Sequence, residues 1–588
     1  MKIKLSDYVW DFVSKQGVKD VFMFPGGGAM HLVDSLGANK NIRNITLLHE
    51  QACAMAAETY SRMTYTMGTI LVTTGPGGTN AMTGVAAAWM ESTPMLVISG
   101  QVKTSDLKEK YGVRQLGIQE IGIVDIVKTI TKYAVTVVDP YSIRYHLERA
   151  FYEARNGRFG PVWLDIPLDV QACMIEEDFL QGYNPPDKID MNKALKDAVA
   201  MTVDMLCHCK KPLVIAGQGI ERNQGTEIFR RLVDQLQIPV LTSWMATELL
   251  PYDHICNLGK PGMVAPRYSN RAMQHSDLIL AIGTRLDPAM IGYNPNDFAP
   301  GARKIIVDID SAELDKFQFS VTLKIQADAT RFLQELERRL RVSGYNQQDK
   351  QDWLEECLRY KEKYPVLLPE FEEQKEFVNP YYFFDQLSNY LADDDVIIPG
   401  SSGTTLDIFW ISLKNRAGQR TFSTGALGSM GYGVPAALGA CIGSGKRTIC
   451  VEGDGSFQLN IQELADIKGL NLPIKFFILD NGGYLSIMNT QRTHFDGHFV
   501  GANKNSGLNI PDVVAIAAAY GFKTFTVDCH EDVPKKIQKT LAADGPALCR
   551  VILPNDIVVQ PKVMSRVTDD GKMVSGSLSN LWPFIEED

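Results

Sequence analysis

Short apolar runs alternate with longer amphipathic stretches along most of the chain, and glycine, proline or serine closes many of these runs. In the first third the apolar runs are VFMFP (21–25), TILVTT (69–74), MLVISG (95–100) and VWLDIP (162–167). Buried strands that end in turn residues and lead into helices are typical of a parallel sheet with helices on both faces. The pattern therefore predicts a doubly wound α/β domain over residues 1–182.

The same pattern returns twice. A polar, proline-bearing stretch (182–192) precedes the second set of runs, and a charged helical stretch (346–375) precedes the third. We predict a central, Rossmann-like nucleotide-binding domain over residues 192–345 and a third α/β domain over 376–553. A tail with little regular pattern follows over 554–588. The predicted fold class is α/β, with three doubly wound parallel-sheet domains.

Composition and charge narrow the class of protein. The 588 residues are 45% hydrophobic and carry a net charge of -10, which argues against nucleic acid or an anionic membrane as the main partner. The first residues lack the apolar core of a secretory signal, and no stretch is long enough for a membrane span. We expect a cytosolic protein with reduced thiols. The segment Cys207-His208-Cys209 lacks the second pair that a structural zinc site needs.

The segment 450–484 points most directly to chemistry. One apolar run ends in Gly453-Asp454-Gly455-Ser456, and the next ends in Asn481, 27 positions after Asp454. Parallel sheets bind ligands at the carboxyl ends of their strands, and carboxylate and amide oxygens suit Mg²⁺. The glycines let the backbone approach phosphate oxygens, and Ser456 can add a hydroxyl. The spacing predicts a site for a metal-bridged diphosphate.

This segment resembles the diphosphate and Mg²⁺ motif of the thiamine diphosphate-dependent enzymes. The resemblance implies that the side chains of Asp454 and Asn481 and the carbonyl of Gly483 ligate Mg²⁺. In GALGSMGYG (425–433) it implies that the Gly428 carbonyl and the Met430 amide bind the aminopyrimidine, which Met430 also supports. PGSSGTT (399–405) resembles the family's second phosphate loop, with Ser402, Gly403 and Thr404 as candidate contacts.

Glu50 allows two interpretations. On local grounds, a glutamate at a helix start is a surface residue placed favourably in the helix dipole. HEQACAMAAETYSR (49–62), followed by TTGPGGTN (73–80), resembles the helix that carries the activating glutamate of the family. The resemblance implies that Glu50 hydrogen-bonds N1′ of the cofactor. Because this glutamate and the metal motif belong to different subunits in the family, it also implies a homodimer or homotetramer with active sites between subunits.

The resemblance extends over nearly the whole chain to the acetolactate synthases. FPGGGAMHLVDSL (24–36) is similar to their glycine loop near the reacting centre, which implies roles for Pro25, Gly27 and Gly28, and Gln119 falls on a glutamine that lines their active site. The predicted central domain is similar to their FAD-binding domain. The alternatives are that it binds ADP or that it binds no ligand. The residues implied to bind the nucleotide are Arg158, Gly217, Gly219, Thr242, Arg285, Asp287 and Asp308.

Departures from the patterns of related enzymes refine the expected reaction. Pyruvate decarboxylases keep a His-His pair near Val113-Arg114-Gln115 and a glutamate where this chain has Ile487. Without those proton donors, we expect a carbon–carbon bond-forming transferase that decarboxylates a 2-keto acid, with pyruvate as the leading candidate. The acyl carbanion then passes to a carbonyl acceptor. A decarboxylase or an acyltransferase on the same scaffold is the alternative, and the retained motifs disfavour a non-catalytic binding protein.

The sequence leaves two candidates for the acceptor, a second keto acid and a keto-sugar. Ile118, Leu168 and Thr490 stand where acetolactate synthases keep phenylalanine, lysine and tryptophan. A small polar residue in place of tryptophan suggests a larger and more polar acceptor. Two further features each allow two interpretations. His31 is either a packed residue on a helix face or a proton donor to the product. The stretch 567–585 is either a lid over the site or a packed surface arm.

Overall fold

The computed structural model describes residues 2–187, 192–374, 376–400, 403–567 and 573–585. Three parallel sheets flanked by helices account for most of the described chain, which confirms the predicted α/β fold class. The chosen domain boundaries stay predictions. None of the helices in the described ranges has the length and apolar character needed to cross a lipid bilayer.

The first sheet has six strands in the order β3-β2-β4-β5-β7-β6, and a separate pair, β1 and β8, is antiparallel. The strands are β1 (Lys2–Lys4), β2 (Asp20–Met23), β3 (Arg43–Thr46), β4 (Gly68–Val72), β5 (Met95–Gln101), β6 (Tyr133–Thr136), β7 (Pro161–Pro167) and β8 (Met174–Glu176). The helices are α1 (Leu5–Lys15), α2 (Met30–Ala38), α3 (Glu50–Thr64), α4 (Pro76–Met90), α5 (Ile123–Val127), α6 (Ile143–Arg155) and α7 (Leu168–Ala172).

The central sheet has five parallel strands in the order β10-β9-β11-β12-β13. Its strands are β9 (Pro212–Ala216), β10 (Val240–Thr242), β11 (Leu278–Ile282), β12 (Arg303–Asp308) and β13 (Leu323–Gln326). Its helices are α8 (Asn192–His208), α9 (Gly219–Arg222), α10 (Thr226–Leu236), α11 (Arg267–Gln274), α12 (Pro288–Ile291), α13 (Ser311–Asp315) and α14 (Ala329–Leu340). Two bridging helices follow, α15 (Gln351–Lys363) and α16 (Pro369–Glu372).

The third sheet again has six parallel strands, in the order β15-β14-β16-β17-β19-β18. Its strands are β14 (Val396–Pro399), β15 (Arg420–Thr421), β16 (Thr448–Gly453), β17 (Ile474–Asp480), β18 (Lys523–Val527) and β19 (Ala547–Ile552). Its helices are α17 (Pro380–Tyr390), α18 (Thr404–Ser412), α19 (Gly433–Ser444), α20 (Asp454–Phe457), α21 (Leu464–Gly469), α22 (Leu485–His494), α23 (Val513–Ala519) and α24 (Val533–Leu541). An antiparallel pair, β20 (Ser565–Val567) and β21 (Met573–Ser575), lies in the tail.

Small residues join the first and third domains. Helices α3 and α19 are rich in alanine and glycine and share one buried core. A Cβ at Gly439 would lie 2.0 Å from the carbonyl oxygen of Ala56, so the two helices touch backbone to backbone at this point. The Thr59 hydroxyl donates to the Ala436 carbonyl over 2.9 Å. This close packing fixes α3, which begins at Glu50, against the domain that carries the predicted metal motif.

The described part of the tail returns to the central domain. Val563, Leu578 and Leu581 are buried in the core of that domain. The Asn270 amide donates to the Leu578 carbonyl over 3.0 Å, and the Arg267 guanidinium donates to the Leu581 carbonyl over 2.8 Å. The contacts of these residues are those of a packed arm. Residues 568–572, which belong to the stretch considered as a lid, lie outside the described residues.

Candidate functional site

Two adjacent strands of the third sheet place the predicted metal ligands side by side. Strands β16 and β17 pair in parallel up to Gly453 and Leu479, so their carboxyl ends lie at the same edge. Asp454 begins α20 directly after β16, and Asn481 directly follows β17. Their side chains are buried, with only 2% and 7% of their surfaces exposed. The spacing seen in the sequence therefore brings both groups to one sheltered point.

The electrostatics at this point favour a cation. Burial raises the pKa of Asp454 to about 7, and the nearby Asp480 carboxylate acts in the same direction. Asp454 accepts hydrogen bonds from the backbone amides of Gly455 (2.8 Å) and Gly483 (3.0 Å). The buried Oδ1 of Asn481 has no hydrogen-bond partner in the described part of the chain. A divalent cation would neutralise the carboxylate and satisfy this oxygen, so the residues present fit Mg²⁺.

Tight backbone packing shapes the surrounding turns. A Cβ at Gly455 would lie 2.3 Å from Cε1 of Tyr484. Gly483 has φ of 151°, and a Cβ there would lie 2.2 Å from the Ala502 carbonyl oxygen. A Cβ at Gly453, in contrast, would meet nothing within 4 Å, so the chain is open on that side. Together, the two crowded glycines keep the motif compact, and the open one leaves room for a ligand.

A second turn, residues 425–431, reaches the same motif from the start of α19. The Gly431 amide donates to the Ser456 hydroxyl over 2.9 Å, which connects this turn to α20. Gly428 has φ of 66°, and its amide donates to the Thr424 carbonyl over 3.0 Å. Met430 lies between these two glycines. The structure therefore brings the predicted pyrimidine-binding turn next to the predicted diphosphate motif, whereas the roles of Gly428, Met430 and Ser456 stay predictions.

The predicted second phosphate loop lies at the start of α18. Gly403 has φ of 123°, in the left-handed region that favours glycine. The Thr404 amide donates to the Ser486 hydroxyl over 2.9 Å, and the Asn489 amide lies 3.3 Å from the Thr404 hydroxyl. These contacts connect the loop to α22, which follows Asn481. Ser402 lies outside the described residues, so its predicted contact is not addressed.

Glu50 is a buried residue at the start of α3, and the local interpretation of it as a surface residue is wrong. Only 6% of its surface is exposed. The helix is capped by His49, whose Nδ1 accepts a hydrogen bond from the Gln51 amide over 3.1 Å. One carboxylate oxygen of Glu50 accepts from the Asn80 side-chain amide over 3.0 Å. Glu50 is therefore held in a defined orientation by a residue that the sequence analysis did not single out.

Three loops of the first domain meet near the start of α4. The Gly28 amide donates to the Thr73 hydroxyl over 3.1 Å. Gln119 has φ of 63°, and its carbonyl oxygen would lie 2.3 Å from a Cβ at Gly75, two residues after Thr73. Pro25, Gly27 and Gln119 are all exposed. The structure thus clusters the predicted residues Pro25, Gly27, Gly28 and Gln119 around one surface, and their chemical roles stay predictions.

Glu120 holds the loop that presents Gln119. It is 4% exposed, and its carboxylate accepts from the amides of Lys108 (2.5 Å), Leu116 (2.9 Å) and Gly117 (3.1 Å). The neighbouring Ile118 is 89% exposed. The sequence analysis missed Glu120 because no local pattern shows that the amides of a loop will converge on one carboxylate. The only signal for Glu120 in the sequence was that it is an acidic residue directly after Gln119.

All three domains contribute to a cavity that encloses about 1300 Å³ of empty space, its open mouth included. Arg158, Gly219, Arg285, Asp287 and Asp308, all predicted to bind a nucleotide, line its wall. Gly217 packs behind the wall, where a Cβ would lie 2.1 Å from the Gly283 carbonyl oxygen, and Thr242 directly precedes the lining residue Ser243. Five of the seven predicted residues therefore line the wall, and the other two, Gly217 and Thr242, directly precede the lining residues Gln218 and Ser243.

The wall of this cavity carries both positively and negatively charged side chains. Arg158 pairs with Glu313 (2.6 Å) and approaches Asp310 (3.6 Å), while burial raises the pKa of Asp308 to about 6. Arg222 is half-buried, and its Nε atom is buried and has no partner in the described part of the chain. Basic groups and close-packed glycines suit phosphate oxygens, and acidic groups suit ribose hydroxyls. The chemistry of the lining residues is therefore compatible with a nucleotide.

Three family models match successive parts of the chain. They describe the N-terminal TPP binding domain (residues 3–126), the central domain (199–336) and the C-terminal TPP binding domain (402–551) of thiamine pyrophosphate enzymes. The chain belongs to the thiamine pyrophosphate enzyme family. This result confirms the resemblance seen in the motifs and makes thiamine diphosphate the ligand of the first and third domains.

Curated relatives of this thiamine pyrophosphate enzyme extend over nearly its full length. Acetolactate synthase 2 of Nicotiana tabacum, a chloroplastic protein, is 33% identical over 96% of this chain and 84% of its own length. The acetolactate synthase large subunit of Lactococcus lactis is 30% identical over 97% of both chains. That of Corynebacterium glutamicum is 32% identical over 92% of this chain and 86% of its own length. The enzyme is therefore acetolactate synthase-like, as the sequence predicted.

Proposed function

We propose that this enzyme decarboxylates a small 2-keto acid, pyruvate being the leading candidate, and joins the acyl group to a carbonyl acceptor. One observation carries the proposal: a buried glutamate held by Asn80 and a buried Asp454–Asn481 pair occur in one chain. The relatives that are named acetolactate synthases support carbon–carbon bond formation rather than simple release of an aldehyde. The chemistry would be that of a transferase of the transketolase and transaldolase class.

Each candidate residue has a proposed role that follows from its position in the structure. Thiamine diphosphate, when bound, supplies the electron sink that stabilises the acyl carbanion left after loss of carbon dioxide. Asp454, Asn481 and the Gly483 carbonyl would hold the Mg²⁺ that anchors its diphosphate. Glu50 would exchange a proton at N1′ of the pyrimidine, and Asn80 would keep its carboxylate turned toward that atom. The Gly428 carbonyl and the Met430 amide would bind the aminopyrimidine, which the Met430 side chain would support.

Side chains around α22 and the loop before Gln119 favour ligation over protonation of the carbanion. Ile487 on α22 is apolar and 46% exposed, so it offers no proton. Val113 is likewise apolar and exposed, and no histidine stands at positions 113–115. Without a nearby proton donor, the acyl carbanion that the cofactor would stabilise would be available to a carbonyl acceptor. A second keto acid is the acceptor that the curated relatives' names suggest.

A keto-sugar is a second candidate acceptor, and Thr490 is the observation that favours it. Thr490 is exposed on α22, and its hydroxyl donates to the Ser486 carbonyl over 3.0 Å. The shorter side chain leaves space that a tryptophan would fill. The deciding experiment incubates the purified enzyme with pyruvate, Mg²⁺ and thiamine diphosphate, alone and with a panel of keto-sugars, and identifies products by mass. Acetaldehyde as the sole product would overturn the carboligase proposal.

We further propose that the central cavity holds FAD. The basic and acidic groups of the cavity wall and the unpartnered Nε of Arg222 support a bound nucleotide, and the similarity of the central domain to the FAD-binding domain of acetolactate synthases supports FAD. Denaturing the purified protein and separating the released nucleotides tests the proposal. FAD in about one equivalent per chain supports it, whereas ADP alone or no nucleotide would contradict it.

A homo-oligomer in the cytosol completes the proposal. Met30, two residues after Gly28, Leu48, two residues before Glu50, and Ile118, beside Gln119, are large apolar residues with 51%, 48% and 89% of their surfaces exposed. Exposed apolar side chains around a candidate site are typical of a surface that a partner covers. A dimer or tetramer in which the diphosphate motif of one chain faces Glu50 of another would cover them. Small-molecule substrates, rather than nucleic acid or membrane, would be the other partners.

A further inference from the structure

Asn460 bridges two segments that the proposed reaction needs. It is fully buried in the turn between α20 and α21, where its φ of -139° and ψ of 33° interrupt the helical path. Its side-chain amide donates to Oε1 of Gln51 over 3.1 Å and to the carbonyl oxygen of Gly431 over 2.7 Å. Its own oxygen accepts from the Gln462 amide over 3.2 Å. All polar groups of this side chain are therefore engaged.

The two acceptors belong to different halves of the candidate site. Gln51 directly follows Glu50 at the start of α3, and Gly431 directly follows Met430. Gly431 has φ of 82°, and a Cβ there would lie 2.9 Å from the Asn460 amide nitrogen, so only a glycine seats the turn against this amide. A parallel contact runs from the Leu48 amide to the Glu463 carboxylate over 3.2 Å. The start of α3 is thus held by the segment that also carries Asn460.

We propose that Asn460 is a positioning residue that fixes the Glu50 end of α3 relative to the Met430 turn. The proposal rests on the proposed function, which gives Glu50 and Met430 their roles. In the dimer of that proposal, Glu50 and Met430 of one chain serve two different active sites. Asn460 then joins the two sites through a single side chain, so a displacement of the turn in one site reaches the glutamate of the other.

The chemistry of Asn460 makes the proposal testable by the exchange of one heavy atom, its amide nitrogen, for an oxygen. Asn460→Asp keeps the shape but removes both donor hydrogens, and its carboxylate would face the oxygens of Gln51 and Gly431. Buried acceptors that face each other are repelled, so both contacts open. Asn415 provides a matched control. It is also buried, and its side-chain amide donates to two backbone carbonyls, those of Thr247 (3.0 Å) and Leu250 (3.2 Å).

The experiment compares the wild-type enzyme, Asn460→Asp and Asn415→Asp in three measurements. These are the melting temperature, the affinity of the apoenzyme for thiamine diphosphate with Mg²⁺, and the rate of hydrogen exchange at C2 of the bound cofactor. We expect Asn460→Asp to slow the exchange by about tenfold or more at saturating cofactor and to weaken cofactor binding. Asn415→Asp should lower the melting temperature but change the other two by no more than about twofold. Exchange and affinity in Asn460→Asp within that same range would overturn the proposal.

Gln51→Ala keeps the proposal open to test if Asn460→Asp fails to fold. Gln51 is only half-buried, and its loss leaves the Asn460–Gly431 bond in place. We expect slower exchange with unchanged cofactor affinity, and the reverse pattern would overturn the proposal. In a double-mutant cycle that combines Gln51→Ala with Asn460→Ala, the effects of the two changes on the rate of hydrogen exchange at C2 should be less than additive. A wild-type enzyme that binds the cofactor but never turns over a keto acid would contradict the proposed function alone, because affinity still reports on Asn460.

Discussion

The side-chain amide of Asn80 donates to one carboxylate oxygen of Glu50 over 3.0 Å, and this bond joins the first turns of α3 and α4. Glu50 is buried while Asn80 is exposed in the single chain, so the bond lies at the boundary between core and surface. A glutamate that exchanges a proton with a bound ring needs its reactive oxygen aimed at that ring. Asn80 provides that constraint.

We expect Asn80→Ala to lower kcat for keto acid turnover by about tenfold, because the Glu50 carboxyl group stays in place but loses its fixed orientation. Asn80→Asp should lower it further, because a second carboxylate would face the first. Steady-state kinetics with pyruvate measure both effects. The neighbouring Thr79→Ala is the control, since the Thr79 hydroxyl makes a local bond to the Pro76 carbonyl of its own helix. A normal kcat in Asn80→Ala would contradict this role.

Replacing Glu50 itself separates catalysis from cofactor binding. Glu50→Ala should reduce carbon dioxide release from pyruvate by about 10²- to 10⁴-fold, the usual contribution of a general acid or base. The Asp454–Asn481 site is on another domain, so titration with thiamine diphosphate and Mg²⁺ should still show binding. The exposed Glu355→Gln, on the bridging helix α15, is the control. Turnover that survives in Glu50→Ala would refute the assigned role.

The unpartnered oxygen of Asn481 predicts a metal-specific defect. Asn481→Ala should raise the Mg²⁺ concentration needed for half-maximal activity by about tenfold or more, because a ligand is lost while Asp454 remains. Titrating the apoenzyme with Mg²⁺ at saturating thiamine diphosphate measures the change. Asn346→Ala, in an exposed loop of the bridging segment, is the control. If the Mg²⁺ requirement is the same in Asn481→Ala, the assigned ligand is wrong.

Arg285 offers a test of the cavity that leaves the thiamine site intact. It lines the wall, and its ion pair with Asp287 is long, 3.5 Å from nitrogen to oxygen. Arg285→Ala should lower the flavin content of the purified protein by about tenfold, because a cation near the nucleotide is removed. Flavin absorbance per chain is the measurement, and the exposed Arg338→Ala is the control. Full flavin content in Arg285→Ala would count against this site.

Glu463 predicts how stability depends on pH. Burial raises its pKa from 4.5 to about 8, and Asp466 on the same segment adds to the shift. The facing groups on α3 are Glu50 and Cys53, and burial raises the pKa of the Cys53 thiol far above its usual range. Because the folded pKa lies above the unfolded one, folding takes up a proton here. The free energy of unfolding therefore falls as pH rises from 4.5 toward about 8.

Glu463→Gln should remove this fall in the free energy of unfolding, because glutamine does not take up a proton. Its melting temperature should exceed that of the wild-type enzyme by a few degrees at about pH 9 and by much less at about pH 5. Differential scanning calorimetry at both pH values gives the comparison, with Glu355→Gln as an exposed control. An equal difference at both pH values would show that Glu463 does not take up the proton.

Strand-end residues were predictable from the sequence, and residues that act across domains were not. Asp454 and Asn481 follow two apolar runs that pair in parallel, so local pattern alone places them together. Glu50 was harder, because a helix start has the same local pattern whether it is exposed or covered. Asn460 contacts Gln51 across 409 positions, and no periodicity reports a contact of that range. For Asn80 and Glu120, likewise, the partner groups become visible only when the loops meet in space.

The tail described above also sets an order of events during synthesis. Val563, Leu578 and Leu581 complete the core of a domain whose sheet is built from residues 212–326. A growing chain emerges from the ribosome with its amino end first, so this core lacks its closing side chains until residues 563–581 have been made. The strands of the central sheet end at residue 326, more than 230 positions before Val563. The central domain must therefore stay partly open while the whole third domain is being synthesised.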